Sequence, residues 1–227
     1  MENKSKVIRI LILIVAACIV MAFIDAVIAP GYLVKSLVKL LLFLGIPLGY
    51  AVIHKGIPVW DMFRIRDKKA LIIPVLLGMG VYAFILLVYF ILGPYFDFSG
   101  VTGELTASYG VNKDNFVWVA LYISFVNSFL EEFFFRGFAF LTLKKFTSKR
   151  FAYLFSAGTF ALYHVAIMSD WFQAVLFLLL IFSLFIAGVF FNRLNEKGNN
   201  IYNSWLVHMC ANFAINTIGF ILFGIIG

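Results

Sequence analysis

The chain has 227 residues, of which 63% are hydrophobic and 13% charged, and its formal net charge is +7. A soluble domain is about 45–50% apolar and about 25% charged. The 28 Phe residues cannot all be buried in a chain of this length, so much of the apolar surface must face lipid. This composition excludes a soluble enzyme, a disordered tail and a disulfide-built secreted module, and it predicts an integral membrane protein.

A membrane-spanning helix needs about 20 predominantly apolar residues. Seven stretches qualify, which predicts an all-α, polytopic transmembrane helix bundle. The expected spans are 8–28, 33–53, 70–92, 115–143, 151–168, 172–191 and 201–226. The first is too long for the core of a signal peptide and is followed by no clear cleavage site, so we expect it to remain as an anchor. No linker or repeat divides residues 1–227, which favours a single integral-membrane domain.

The charges of the connectors predict the orientation of the bundle. The N-terminus and the connectors 54–69, 144–150 and 192–199 carry 14 of the 18 Lys and Arg residues, including Lys55 and Arg66. The intervening connectors are acidic, with Asp97 and Asp170 among their charges. Because cytoplasmic loops are enriched in Lys and Arg, we expect a cytoplasmic N-terminus in a bacterial type of cell membrane. The positive charge is then explained by topology, so the expected partner is the lipid bilayer and no nucleic acid is expected.

The fourth span carries three ionisable residues, Glu131, Glu132 and Arg136. Such residues at membrane depth are costly unless they face the bundle interior and find a partner. Glu132 and Arg136 are four residues apart on one helical face, which predicts a structural ion pair. Glu131 lies off that face and is expected to be an unpaired carboxylate and a candidate general base, oriented by Asn127. The alternative is that all three charged residues form one packing network.

Two further spans carry polar residues at similar depth. His164 lies in the fifth span, and His208, Asn212 and Asn216 form a polar stripe on the seventh. At about 1.5 Å per residue, helices that enter from opposite directions place Glu131 and the two histidines at overlapping depths. We therefore expect one buried polar cavity that opens to the cytoplasmic side. The alternatives are a hydrogen-bonded helix contact for His164 and interhelical hydrogen bonds for the stripe.

A carboxylate, two imidazoles and an amide can take a proton from water and stabilise a developing oxyanion. This chemistry hydrolyses an amide without a Ser or Cys nucleophile. Glu131, His164 and His208 could also hold a zinc ion, although no HExxH helix is present. The residues alone leave metal-free and zinc-dependent hydrolysis open.

The three motifs together resemble the CPBP intramembrane proteases, also called Abi proteins or type II CAAX prenyl endopeptidases. The family pattern is EExxxR, FxxxH and HxxxN, each on a transmembrane helix in that order. The matching segments are Glu131-Glu132-Phe133-Phe134-Phe135-Arg136, Phe160-Ala161-Leu162-Tyr163-His164 and His208-Met209-Cys210-Ala211-Asn212. The resemblance divides the chain into variable N-terminal spans, 1–114, and a core that carries the catalytic motifs, 115–227.

The resemblance implies a role for each matched residue. Glu131 and His164 would activate the attacking water, while His208 and Asn212 would polarise the scissile carbonyl and hold the oxyanion. Glu132 and Arg136 would support the site structurally. It implies an endopeptidase of the glutamate or the metal-dependent type, acting on peptide or protein substrates, lipidated or not, of CAAX-like or bacteriocin-related kind.

Two other functions remain open at this stage. One is a non-catalytic bacteriocin self-immunity or scaffold protein that keeps the protease fold. The other is a transporter that uses Glu131 and the histidines as a proton relay. The chain shows no inverted repeat and no pair of broken helices, which argues against transport.

Overall fold

The computed structural model describes residues 2–54, 56–57, 59–65, 67–168 and 171–227. Lys55, Arg66 and Asp170, which contribute to the predicted connector charges, lie outside these residues. Seven helices in the described part of the chain are long and apolar enough to cross a membrane. In chain order they are α1 (Asn3–Ile28), α2 (Tyr32–Ile53), α3 (Lys69–Tyr95), α5 (Phe116–Lys145), α6 (Lys149–Met168), α7 (Ala174–Gly198) and α8 (Tyr202–Leu222). The predicted all-α transmembrane bundle is confirmed.

The helix ends differ from the predicted spans mainly at α7 and α8. Helix α7 continues seven residues beyond the expected end at 191, through a polar segment. It ends where Asn199 adopts a left-handed conformation, φ 49°, and donates its backbone N–H to the Asn195 carbonyl. Such a residue is a common helix stop. Helix α8 ends at Leu222, four residues before the predicted limit.

The polar connector between α3 and α5 contains a short helix that the apolar pattern did not indicate, α4 (Ser99–Tyr109). Its end is a Schellman turn, in which Gly110 has φ 66° and donates to Thr106 while Val111 donates to Leu105. Val111 and Tyr109 are buried in a small cluster with the first residues of α5. The connector therefore packs against the bundle.

Helix α5 is the central element of the bundle. Every residue from Glu132 to Thr142 is buried, as expected for a helix that is surrounded by others. Its Phe residues meet apolar side chains of α1, α2 and α6 in one core. The ring of Phe43 in α2, for example, stacks on Phe134 with centroids 4.1 Å apart. The N-terminal spans thus contribute directly to the surroundings of the motif residues.

Small residues allow two pairs of helices to approach closely. A Cβ atom added at Gly188 of α7 would lie 2.9 Å from the Ala157 Cα of α6. One added at Gly78 of α3 would lie 2.8 Å from the Cys210 Sγ of α8. These contacts fix α7 against α6 and α3 against α8.

The basic connectors meet at one end of the bundle. Lys145 at the end of α5 lies 3.8 Å from Asp61 in the connector after α2. Lys144 lies 3.8 Å from Glu196 near the end of α7, and Lys6 of α1 lies 6.0 Å from the ring centroid of Phe146. The charge pattern that predicted the topology is therefore gathered at one end, and the assignment of that end to the cytoplasm stays a prediction.

Candidate active site

The backbone of α5 changes its hydrogen-bonding pattern on both sides of the first motif. Residues Ile123–Asn127 are π-helical, Ser128–Glu131 are α-helical, and Glu132–Thr142 are π-helical again. Helix α2 has a similar π-helical segment, Leu41–Gly45. Because such segments alter the direction in which side chains project and are frequent at functional sites, they mark the level of the bundle where the motif residues meet.

Glu131 is paired, contrary to the prediction that it is an unpaired carboxylate. Its Oε1 accepts hydrogen bonds from Lys39 Nζ of α2 at 2.6 Å and from Asn127 Nδ2 at 3.0 Å. Lys39 Nζ also donates to Asn127 Oδ1 at 2.5 Å. The prediction failed because it considered partners within one helix, whereas the cation comes from another. The expected orienting contact from Asn127 is present.

The other oxygen of Glu131 has different surroundings. Oε2 is buried and has no hydrogen-bond partner among the described residues. It lies 3.7 Å from His208 Nε2 of α8, which is too long for a hydrogen bond but close for an ion pair. The two oxygens of one carboxylate are therefore unequal: Oε1 is held by two donors and Oε2 faces an imidazole.

Glu132 is held on both oxygens. Its Oε1 lies 2.8 Å from His208 Nδ1, and its Oε2 accepts a short hydrogen bond from Ser204 Oγ of α8. Arg136 Nε lies 3.5 Å from the same Oε2, which is the contact that the spacing of four residues predicts. The His208 imidazole thus stands between the two acidic residues of the motif, with one nitrogen toward each.

The Arg136 guanidinium is enclosed by aromatic rings. Its Cζ lies 3.9 Å from the ring centroid of Phe160 and 5.1 Å from that of Phe191. The side chain is fully buried. Cation–π contacts and the Glu132 carboxylate therefore stabilise this charge in the bundle interior.

His164 reaches the same cluster from α6 through Phe160. Its Nδ1 lies 2.7 Å from the Phe160 carbonyl oxygen, so Nδ1 carries the proton and Nε2 is the basic nitrogen of the neutral ring. The Phe160 ring lies 4.7 Å from the His164 ring and 6.1 Å from the His208 ring, centroid to centroid. The Phe160 ring thus lies near both imidazoles and the Arg136 guanidinium.

The polar stripe of α8 contacts the backbone of α5. Asn212 Nδ2 donates to the Ile123 carbonyl at 3.2 Å. Asn216 Nδ2 donates to the Ala120 carbonyl and to Ser124 Oγ, both at 3.0 Å. For these two residues the structure has the interhelical hydrogen bonds that the sequence left open as an alternative, and these bonds fix α8 against the first π-helical segment of α5.

The motif side chains of α5 and α8 are buried, whereas His164 of α6 is partly exposed. Glu131 is 2% exposed, His208 7% and Asn212 8%. Toward the basic end of the bundle, the Phe63 ring stacks on Phe129 and Phe133, with centroids 6.2 and 5.5 Å apart. The polar groups pair with one another and aromatic rings pack beneath them, and an opening of this cluster to the cytoplasmic side stays a prediction.

Sequence reasoning missed two contributors to the site. Lys39 lies in an otherwise apolar span, four residues after Lys35, and the rule that selected Glu131 applies equally to it. Ser204 connects Glu132 to α7, since its Oγ also accepts from Asn195 Nδ2 at 2.5 Å. A Ser near the start of a helix gives no comparable signal in the sequence.

The zinc ion that the sequence allows, held by Glu131, His164 and His208, stays a prediction. In the described part of the chain, no group of three or more His, Cys, Asp or Glu side chains could hold one. The Lys39 ammonium contacts Glu131 Oε1. A metal ion at Glu131 would be repelled by the ammonium that is already there.

Fold and site together define a polytopic helical membrane protein with a buried carboxylate–imidazole site at the centre of its bundle. Residues 113–214 match the family model described as type II CAAX prenyl endopeptidase Rce1-like. This segment contains all three motifs, so the family resemblance that they predicted is confirmed for residues 113–214. The family is one of CAAX-type intramembrane endopeptidases. Comparisons with curated proteins and with solved structures gave no significant match.

Proposed function

We propose that the protein hydrolyses a peptide bond within the membrane, near the cytoplasmic face, by water that Glu131 and His164 activate. The observation that carries the proposal is the state of Glu131. Its Oε1 is fixed by Lys39 and Asn127, while its buried Oε2 has no hydrogen-bond partner among the described residues. A general base must have an oxygen that can accept the proton of the attacking water, and Oε2 is such an atom.

The reaction needs one water molecule and no covalent intermediate. Glu131 Oε2 takes a proton from water while the hydroxide oxygen attacks the scissile carbonyl. The resulting oxyanion accepts hydrogen bonds from Asn212 and from Nε2 of a protonated His208, whose Nδ1–H stays on Glu132. The proton on Glu131 passes to the leaving amine as the C–N bond breaks. Asn212 must exchange its bond to the Ile123 carbonyl for the oxyanion, which requires a small movement of α8 against α5.

The proposed substrate is a peptide or protein segment, lipidated or not, of CAAX-like or bacteriocin-related type. An apolar groove of about 650 Å³ lies between α3, α5 and α8. Asn216, one helical turn after Asn212, belongs to its wall, together with Tyr82 and Phe213. A groove of this chemistry next to the site suits an apolar segment or a lipid chain of a substrate that enters from the bilayer.

The test compares peptide N-termini in membranes that contain equal amounts of the wild type or Glu131→Gln. Glu104→Gln, the same chemical change in helix α4, is the matched control. We expect termini that are produced by the wild type and by Glu104→Gln and are missing with Glu131→Gln. Identical sets of termini in the native host would overturn the proposal in favour of a non-catalytic immunity or scaffold protein.

A further inference from the structure

Lys39 is a buried cation in the middle of α2, outside the segment that matches the family. Its side chain is 5% exposed, and its ammonium is 2.6 Å from Glu131 Oε1. A Lys at membrane depth is costly unless it is paired, and here the partner is the carboxylate that we propose as the general base. The N-terminal part of the chain therefore reaches the reacting group directly.

Three helices hold the Lys39 ammonium in place. Asn127 and Glu131 of α5 accept hydrogen bonds from two of its three N–H groups. The rings of Phe43 in α2 and Tyr163 in α6 lie 5.3 and 4.9 Å from Nζ. Oxygen acceptors on one side and aromatic rings on the other leave the ammonium little freedom, so its charge is fixed relative to Glu131.

The same helix contains a second, mostly buried lysine that makes no hydrogen bond or ion pair with the motif residues. Lys35, one turn before Lys39, lies 2.6 Å from Asp25 Oδ1 of α1, with side chains 12% and 0% exposed. Its ammonium lies 4.1 Å from the ring centroid of Tyr109. The two lysines have similar burial and both have a carboxylate partner, so Lys35 is a natural control for what is specific to Lys39.

We propose that Lys39 is a positioning residue for Glu131: it holds the carboxylate ionised, fixes Oε1 and leaves Oε2 to accept the proton of water. The role in turnover rests on the proposed function, while the pairing itself does not. His208 and Asn127 also face Glu131, while His164, Arg136 and Lys35 act on it from farther away. Arg136 and Lys35 are paired with Glu132 and Asp25, so Lys39 is the cation in direct contact with the Glu131 carboxylate.

The first experiment measures the protonation of Glu131 without requiring any substrate. Hydrophobic carbodiimides react with protonated carboxyl groups in membranes, and mass spectrometry of peptides locates the adduct. At neutral pH we expect labelling of Glu131 in Lys39→Met and none in the wild type, Lys39→Arg or Lys35→Met. The wild type at acidic pH serves as the positive control for access of the reagent. An unlabelled Lys39→Met, or equal labelling in Lys35→Met, would overturn the proposal.

The second experiment measures turnover of a substrate identified from the N-termini. Lys39→Met should lower kcat about 100-fold with little change in KM, since the contribution of general-base catalysis starts at about that size. Lys39→Arg should recover part of the activity, and Lys35→Met should keep it. If the wild type cleaves nothing, the proposed function fails, and the labelling pattern still decides the pairing of Lys39. A loss of kcat in Lys39→Met without labelling of Glu131 would contradict the proposal.

Discussion

Glu131 and Glu132 are adjacent in the chain and equally buried, but their carboxylates are held in different ways. Glu132 has contacts on both oxygens, from His208, Ser204 and Arg136. Glu131 is held on Oε1 alone, and its Oε2 faces His208 Nε2 without a hydrogen bond. A carboxylate with both oxygens occupied stabilises structure, whereas one with a free oxygen can accept a proton. This difference supports our proposal that Glu132 stabilises the structure and Glu131 acts as the general base.

The two carboxylates also differ in where their cations come from. Arg136 is on the same helix as Glu132, four residues later, and the pair moves as a unit with α5. Lys39 belongs to α2, so its contact with Glu131 depends on how α2 packs against α5. The Glu131 pair is therefore the one that a change in helix packing would disturb.

The largest effect is expected from Glu131→Gln. Cleavage should fall by up to about 10⁴-fold, the upper end for loss of a general base. The amide oxygen of Gln still accepts from Lys39, so folded yield and melting temperature in detergent should stay near those of the wild type. Assays of cleavage rate and of thermal unfolding on the same preparation measure the loss of activity and the change in stability. A variant that keeps its activity, or that loses its fold, would show that the roles of the two glutamates are exchanged.

Glu132→Ala should mainly reduce stability. Arg136 would lose its carboxylate inside the bundle, and removal of one partner from a buried ion pair costs about 3–5 kcal/mol. Chemical unfolding in detergent measures this loss. Asp61→Ala is the matched control, because Asp61 pairs with Arg64 and Lys145 at the basic end of the bundle, where all three side chains are well exposed. Pairs of that kind contribute about 0–1 kcal/mol, so similar losses in the two variants would contradict a structural role for Glu132.

Some of these features can be predicted from the sequence, and others cannot. The seven spans and the Glu132–Arg136 contact follow from local rules, namely apolar length and the spacing of residues on one helix. The Lys39–Glu131 contact depends on which helices are neighbours and on π-helical segments in both, which no single span encodes. The hydrogen bond of the Asn212 amide also depends on which helices are neighbours, since its acceptor is a backbone carbonyl of α5. The Lys39 charge was visible in the sequence, but its partner was not.

The comparison of Asn212 with Asn216 extends the same reasoning to α8. Both side chains donate to backbone carbonyls of α5, and Asn216 makes one bond more, to Ser124. Interhelical hydrogen bonds in membranes contribute about 0.6 kcal/mol on average, so Asn216→Ala should destabilise the fold slightly more than Asn212→Ala.

If Asn212 stabilises the oxyanion, its replacement by Ala should lower kcat about 100-fold, while Asn216→Ala should change kcat little. Equal kcat values for the two variants would limit Asn212 to helix packing and leave His208 as the donor to the oxyanion.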